Sequence, residues 1–215
     1  MKNIWYTIAA IIVSAGLFGS AFALANHFDT SLPINTPNDS VADNSDDIDT
    51  EEPEEKVTYT GVLCKDIAEL TTGDKIVIVA LGHNAALSRV QNTSNRGEAK
   101  VEKVEETVAF SDGVEVIILE MGHYENTFAL KTETGYLYAS SSSSNQLKTR
   151  DEVNTDNALW SIDFDSSGEA NIVAQGTSTR NVLRYNSKSN LFSCYESTET
   201  QEPVVIYKLV ESEEN

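Results

Sequence analysis

Groups able to do chemistry are sparse in this chain, and none is spaced for catalysis. The three histidines are His27, His83 and His123. The last two each follow a glycine at the end of an apolar run, in "LGHNAA" and "MGHYEN". They lie 40 residues apart, with no His-x-His pair and no cysteine at ligand spacing, so a zinc site is not expected. No Gly-x-Ser-x-Gly turn offers a serine nucleophile. "DFDSSGE", residues 163–169, begins like a calcium loop, but Ala174 stands at the twelfth position, where a bidentate acid is needed. A hairpin turn explains that stretch better. Pairs such as Glu105-Glu106 and Asp151-Glu152 are generic in so acidic a chain, and nothing in the sequence sets two carboxyls across a glycosidic bond. The expectation is a protein that is not an enzyme, with no cofactor and no metal.

Binding is the chemistry left. A saccharide is held by an aromatic ring against its C–H face, with amide, carboxylate or guanidinium groups on its hydroxyls. Two stretches mix such groups. Tyr136, Tyr138, Asn145 and Gln146 form one set. Arg184, Tyr185, Asn186 and Tyr195 form another, with the loop arginine Arg180 just before them. Each residue also has a plainer role in a core or a turn. Trp160 is assigned to the core, because Trp160, Ile162 and Phe164 alternate with Ser161 and Asp163.

The elements that must position these residues are strands. Short runs rich in Val, Ile, Tyr and Phe recur from residue 57 to 210, among them "KIVIVAL", "VEVIILEM", "TFALKT", "LWSIDFD" and "VVIYKLV". "TGD", "SDG", "TETG" and "DSSG" punctuate them as turns. The best helix candidate, "DIAEL" at 66–70, has capping-box spacing but is stopped within about one turn by Thr71-Thr72-Gly73. "YLYASSSSSNQLKT" and "VLRYNSKSNLFSCY" share a strand–polar loop–strand pattern, with Leu137 matching Leu183 and Leu147 matching Leu191. A fainter copy surrounds Leu87, so that Leu87, Leu137 and Leu183 are spaced by 50 and 46 residues. Three four-stranded units follow, at about 75–121, 127–165 and 170–210. Such units describe an all-β β-trefoil over residues 57–211, with six strands closing a barrel and three hairpins capping it. The five serines Ser140–Ser144 then form a hairpin connection, where small hydroxyl residues tolerate a tight turn.

"LTTGDKIVIVA", "GYLYASSSSSNQLKT", "IVAQGTSTRNVLRYN" and "NLFSCYES" resemble a ricin-like β-trefoil accessory module of secreted bacterial proteins. The resemblance covers about residues 70–210. The Gln-x-Trp signature of ricin-type lectins is not met, since Ala158-Leu159 precedes Trp160.

The ends and the charge set the compartment. Lys2 precedes Ile4–Ala25, 22 uncharged and mostly apolar residues ending in an A-x-A pattern. Residues 1–25 are therefore a cleaved signal peptide or an uncleaved anchor, and either way the rest is exported. Residues 26–56 are expected to be a disordered acidic linker: the stretch 27–55 has ten Asp or Glu and no Lys or Arg. The whole chain carries a net charge of −19. Residues 56–215 alone hold 14 basic and 24 acidic residues, which argues against nucleic acid as a partner. A membrane enters only through residues 4–25, if they are uncleaved. Cys64 and Cys194 are the two cysteines, and export permits a bridge between them, although two small buried thiols fit as well. The expected function is an exported, non-catalytic binding module for a glycan or another cell-surface polymer. The alternative is a protein-interaction or protease-inhibitor module presenting Arg89 or Arg96 on the stretch 82–98 or using the loop 195–203.

Overall fold

Alternation and β-branched residues make strands, and the strand ends fall where glycine or polar turns interrupt them. The computed structural model describes residues 59–211, apart from Glu125 and Glu199. The expected signal or anchor (1–25) and acidic linker (26–56) lie outside the described residues. β1 (Tyr59–Leu63) leads into a 3-10 turn, Ile67–Glu69. The expected capping box is formed there: Ala68 N donates to Asp66, and Asp66 N donates to Glu69, each at 2.9 Å. The first unit follows as β2 (Lys75–Ala80), β3 (Ala85–Gln91), β4 (Arg96–Val104), β5 (Thr107–Phe110) and β6 (Ile117–Met121). The second is β7 (Thr127–Thr132), β8 (Gly135–Ala139), β9 (Leu147–Arg150) and β10 (Leu159–Phe164). The third is β11 (Ala170–Ala174), β12 (Val182–Asn186), β13 (Leu191–Tyr195) and β14 (Val204–Glu211).

Pairing closes the first and last strands of the units into a ring. β2 pairs with β6, β6 with β7, β7 with β10, β10 with β11, β11 with β14, and β14 with β2. The inner strands form three antiparallel hairpins, β3–β4, β8–β9 and β12–β13. A six-stranded ring with three hairpins is the strand arrangement of a β-trefoil. Closure leaves the ring no exposed edge. Inside it lie Ile76, Ile78, Leu119, Leu130, Trp160, Ile162, Ile172 and Ile206. The hairpins add Leu87, Leu137 and Leu183, all fully buried, as the threefold repeat requires. Trp160 satisfies its buried indole by donating to the Leu137 carbonyl at 3.0 Å, which ties ring to cap.

Several expectations are corrected. Phe192, not Leu191, joins Leu147 in the core, because Leu191 stands at the hairpin end opposite Asn186. The strand read over 114–121 begins at Ile117. β5 carries no clear strand signal in the sequence, because the short run "TVAF" follows the acidic turn at Glu105-Glu106. It pairs with β4 and β1, and β1 pairs with β14. These strands cover the outer faces of β2 and β14, making a second small core of Val77, Val79, Val101, Val108, Val205, Tyr207 and Leu209. This explains why "KIVIVAL" and "VVIYKLV" are nearly continuous apolar runs: both of their faces are covered. The stretch 82–98 is no protruding loop. It is mostly the β3–β4 hairpin, closed by Asn92 N donating to Asn95 O at 2.8 Å. Arg96 is buried, with its guanidinium 2.6 Å from Glu115 and bonded to Thr149 of β9. Cys64 and Cys194 are both buried with free thiols, the second of the two readings the sequence leaves open. Cys64 N bonds Ile206 O beside β14, Cys194 faces Leu183 across β12–β13, and both side chains join the main core. Each fills its place as a small hydrophobe.

Candidate functional site

Two tight backbone approaches shape a groove on the second unit. Gly135 has φ +130°, and a Cβ there would lie 2.3 Å from the Arg150 carbonyl, so only glycine lets β8 start against the end of β9. A Cβ on Gly122 would lie 2.2 Å from Thr127 Oγ1, so the β6–β7 turn also needs its glycine. Gly135 delivers Tyr136 to the surface side of β8, while Leu137 points into the core. The Gly122 turn delivers His123 and Tyr124. Both are pinned to the β9–β10 connection: His123 Nε2 lies 3.3 Å from Asp156, and the Tyr124 hydroxyl donates to Asp156 at 3.0 Å.

Between these pieces is a hollow of about 500 Å³, within the usual size of a ligand site. It is lined by Glu120, Met121, His123 and Tyr136, by Asp151, Glu152 and Val153 after β9, and by Ala129 and Leu159. An adjoining hollow of about 390 Å³ shares Asp151 and Glu152 and adds Thr149, Arg150 and Asn154. Glu120 orders the wall. It accepts from Lys131 Nζ at 2.7 Å and from the Tyr136 hydroxyl at 2.8 Å. The Lys131 bond, then the Tyr136 bond, holds its carboxyl below the usual carboxylate range, and the same contact raises both Lys131 and Tyr136. An ionised Glu120 accepts hydrogen bonds and is poorly suited to give up a proton. Tyr136 has its ring fixed by its own hydroxyl, with the Lys131 ammonium 5.8 Å over it, an oriented aromatic wall beside carboxylate acceptors. Among the described residues, no group of three or more His, Cys, Asp or Glu is placed to hold a metal ion.

The two sets read from the sequence are divided by the fold. Tyr136 lines the groove. Tyr138 lies on the same face of β8, but the Arg150 guanidinium sits 5.1 Å over its ring. Gln146 is spent on the serine loop, bonding Ser140 and Ser144. Ser141 Oγ accepts from the backbone of Ser143 and Ser144, so the five serines turn the chain. Asn145 accepts from Arg180, which also pairs with Glu196 at 3.3 Å. Arg184 pairs with Glu169 at 2.9 Å, and Asn186 caps its own turn by accepting from Lys188 N at 3.1 Å. Tyr185 and Tyr195 are each 2% exposed and present no ring face at the surface. Tyr185 packs against Phe192 and bonds Glu98. The calcium-like stretch is a turn in which Asp165 accepts from Ser167 N and Glu169 N. Glu120, Lys131, His123, Asp151 and Glu152 were not singled out as ligand contacts. Their types are too common in an acidic chain, and only β6–β7 pairing brings Glu120 beside Lys131.

No family model matches this chain, and no curated protein matches it. Solved structures do resemble it. A GH43 β-1,3-galactosidase aligns with TM-score 0.50 and 14% identity, over 69% of this chain and 29% of that one. The chain thus spans less than a third of that protein. The BEL β-trefoil aligns with TM-score 0.48 and 14% identity, over 66% of this chain and 96% of that one. A lectin of Polyporus squamosus, solved with a sialylated trisaccharide epitope, aligns with TM-score 0.48 and 13% identity, over 65% and 50% of the two chains. At these identities the likeness concerns fold alone.

Proposed function

We propose that this chain is an exported, non-catalytic binding module whose second unit recognises a glycan or another polymer of the cell surface. The observation that carries the proposal is the fixed Tyr136 ring beside the hollow lined by Glu120, Asp151 and Glu152. A pyranose can stack its C–H face on such a ring while its hydroxyls donate to the carboxylates. Pre-fixing the ring lowers the ordering cost of binding. A glycosidase needs one carboxyl held protonated as general acid, and Glu120 is shifted the other way. Lys2 followed by the apolar run Ile4–Ala25 supports export, as a secreted module or one held on the outer face of the membrane.

The test is a glycan array probed with the chain and with Tyr136→Ala. Binding that falls about tenfold, equivalent to ~1.4 kcal/mol, is the expected result. Binding that ignores Tyr136 sinks the assignment of this groove.

A further inference from the structure

The groove belongs to one unit of a threefold repeat, and the β-bridges identify its counterparts in the other two. Lys131 pairs with Tyr136 where β7 meets β8. The matching bridges are Val79 with Ala86 between β2 and β3, and Val173 with Val182 between β11 and β12. Around the ring, Glu120 pairs with Ala129, two residues before Lys131. Its counterparts pair with the residues two before Val173 and Val79. They are Asp163, paired with Asn171, and Tyr207, paired with Val77. The Lys131–Glu120–Tyr136 triad is therefore replaced by Val173, Asp163 and Val182 in unit three, and by Val79, Tyr207 and Ala86 in unit one.

Neither replacement can rebuild the wall. In unit one all three residues are buried in the second small core beneath β1, β4 and β5. In unit three Val182 is 4% exposed, and Asp163 has neither an ammonium nor an aromatic ring at the matching places. The charge of the groove narrows its ligand as well. Its described lining carries three carboxylates, Glu120, Asp151 and Glu152, and no lysine or arginine. Lys131 is already bonded to Glu120, with its ammonium 5.8 Å over the Tyr136 ring. An acidic sugar brought there would meet three carboxylates, while the two nearest cations are already engaged, Lys131 with Glu120 and Arg150 over the Tyr138 ring; hydroxyls or an amine would be accepted.

We infer that the module is monovalent, holding one saccharide unit per chain in the unit-two groove, and that this unit is neutral or amine-bearing rather than acidic. The inference rests on the groove being a glycan site, as proposed above.

The experiment is an array of neutral, amine-bearing and acidic glycans probed with the full chain, followed by calorimetric titration of the strongest binder. Tyr136→Ala and a double Asp151→Asn, Glu152→Gln variant run beside it. The expected result is binders among neutral or amine-bearing glycans, an end point of one per chain, and a gain in acidic-glycan signal in the double variant. Acidic glycans as the strongest binders of the unaltered chain, or two or three ligands per chain, overturn the inference while leaving a glycan function standing. An array blank for folded chain removes the glycan function itself and the inference with it.

Discussion

Arg96 and Glu115 show how much a single residue depends on its surroundings. In the sequence Arg96 sits among polar residues in "NTSNRGE", the composition of an exposed turn. In the fold it is fully buried, and its guanidinium joins Glu115 of unit one to Thr149 of unit two. Replacing Arg96 by Met leaves the Glu115 carboxylate buried without a partner, which costs about 3–5 kcal/mol. Chemical denaturation should show that loss, and the added change Glu115→Leu should recover much of it. The cysteines give a second residue-scale test. Burial pushes the Cys64 thiol up to about 11, and burial raises Cys194 as well. Both thiols should resist labelling in the native protein, and two per chain should react after unfolding without reductant. Fewer than two would mean that a bridge exists. Glu120 supplies a pH test. Its folded-state pKa is depressed, first by Lys131 and then by Tyr136. Its contribution is therefore present above the ordinary carboxylate value and is lost as pH falls through the lower folded value. Lys131→Met should raise the Glu120 titration point seen by carbon NMR, and the stability gap between the two proteins should close in acid.

At the scale of elements, the hairpins were readable because repetition marks them. Leu87, Leu137 and Leu183 recur at near-equal spacing and all three reach the core. The five serines were legible as a turn for the same reason, since the repeat placed them between two strands. What periodicity could not reveal is close approach. Gly135 reads as an ordinary turn glycine in "TETG", yet a side chain there would strike the Arg150 backbone. Gly135→Ala should cost about 1–3 kcal/mol, as a strained backbone position does, and should weaken ligand binding as well by displacing Tyr136. Thermal unfolding and glycan binding measured on one preparation would check both. A variant of unchanged stability would show that β8 and β9 are not so closely held. The four residues of β5 follow a charged turn and carry little strand signal of their own, and only pairing with β4 and β1 makes them a strand.

At the scale of the whole molecule, the asymmetry of the trefoil matters more than its symmetry. β1 and β5 are additions outside the threefold plan, and they cover the outer faces of β2 and β14. Their closeness depends on Gly61, where a Cβ would come within 2.5 Å of Val108. Deleting residues 59–63 should leave the six-stranded ring paired but uncover Val79, Val205, Tyr207 and Leu209. Increased binding of a hydrophobic dye with unchanged far-ultraviolet circular dichroism is the expected outcome. Dye binding like that of the intact chain would mean that β5 and β4 cover this face unaided.

The amino-acid order alone carried the all-β class, the three units and their limits, the central leucines, the core place of Trp160 and the turn role of Ser140–Ser144. Each of these is written in local periodicity, in turn chemistry, or in a repeat that the chain itself displays at intervals of 46 and 50 residues. The tertiary structure alone decided which aromatic residues face outward. Tyr136 and Tyr185 lie in corresponding strands of units two and three, yet one lines a groove and the other packs on Phe192. It also decided that Arg96 is interior and that the two cysteines are free thiols within the core. These outcomes depend on which strands meet across the closed ring, and contacts between residues tens of positions apart leave no period in the chain.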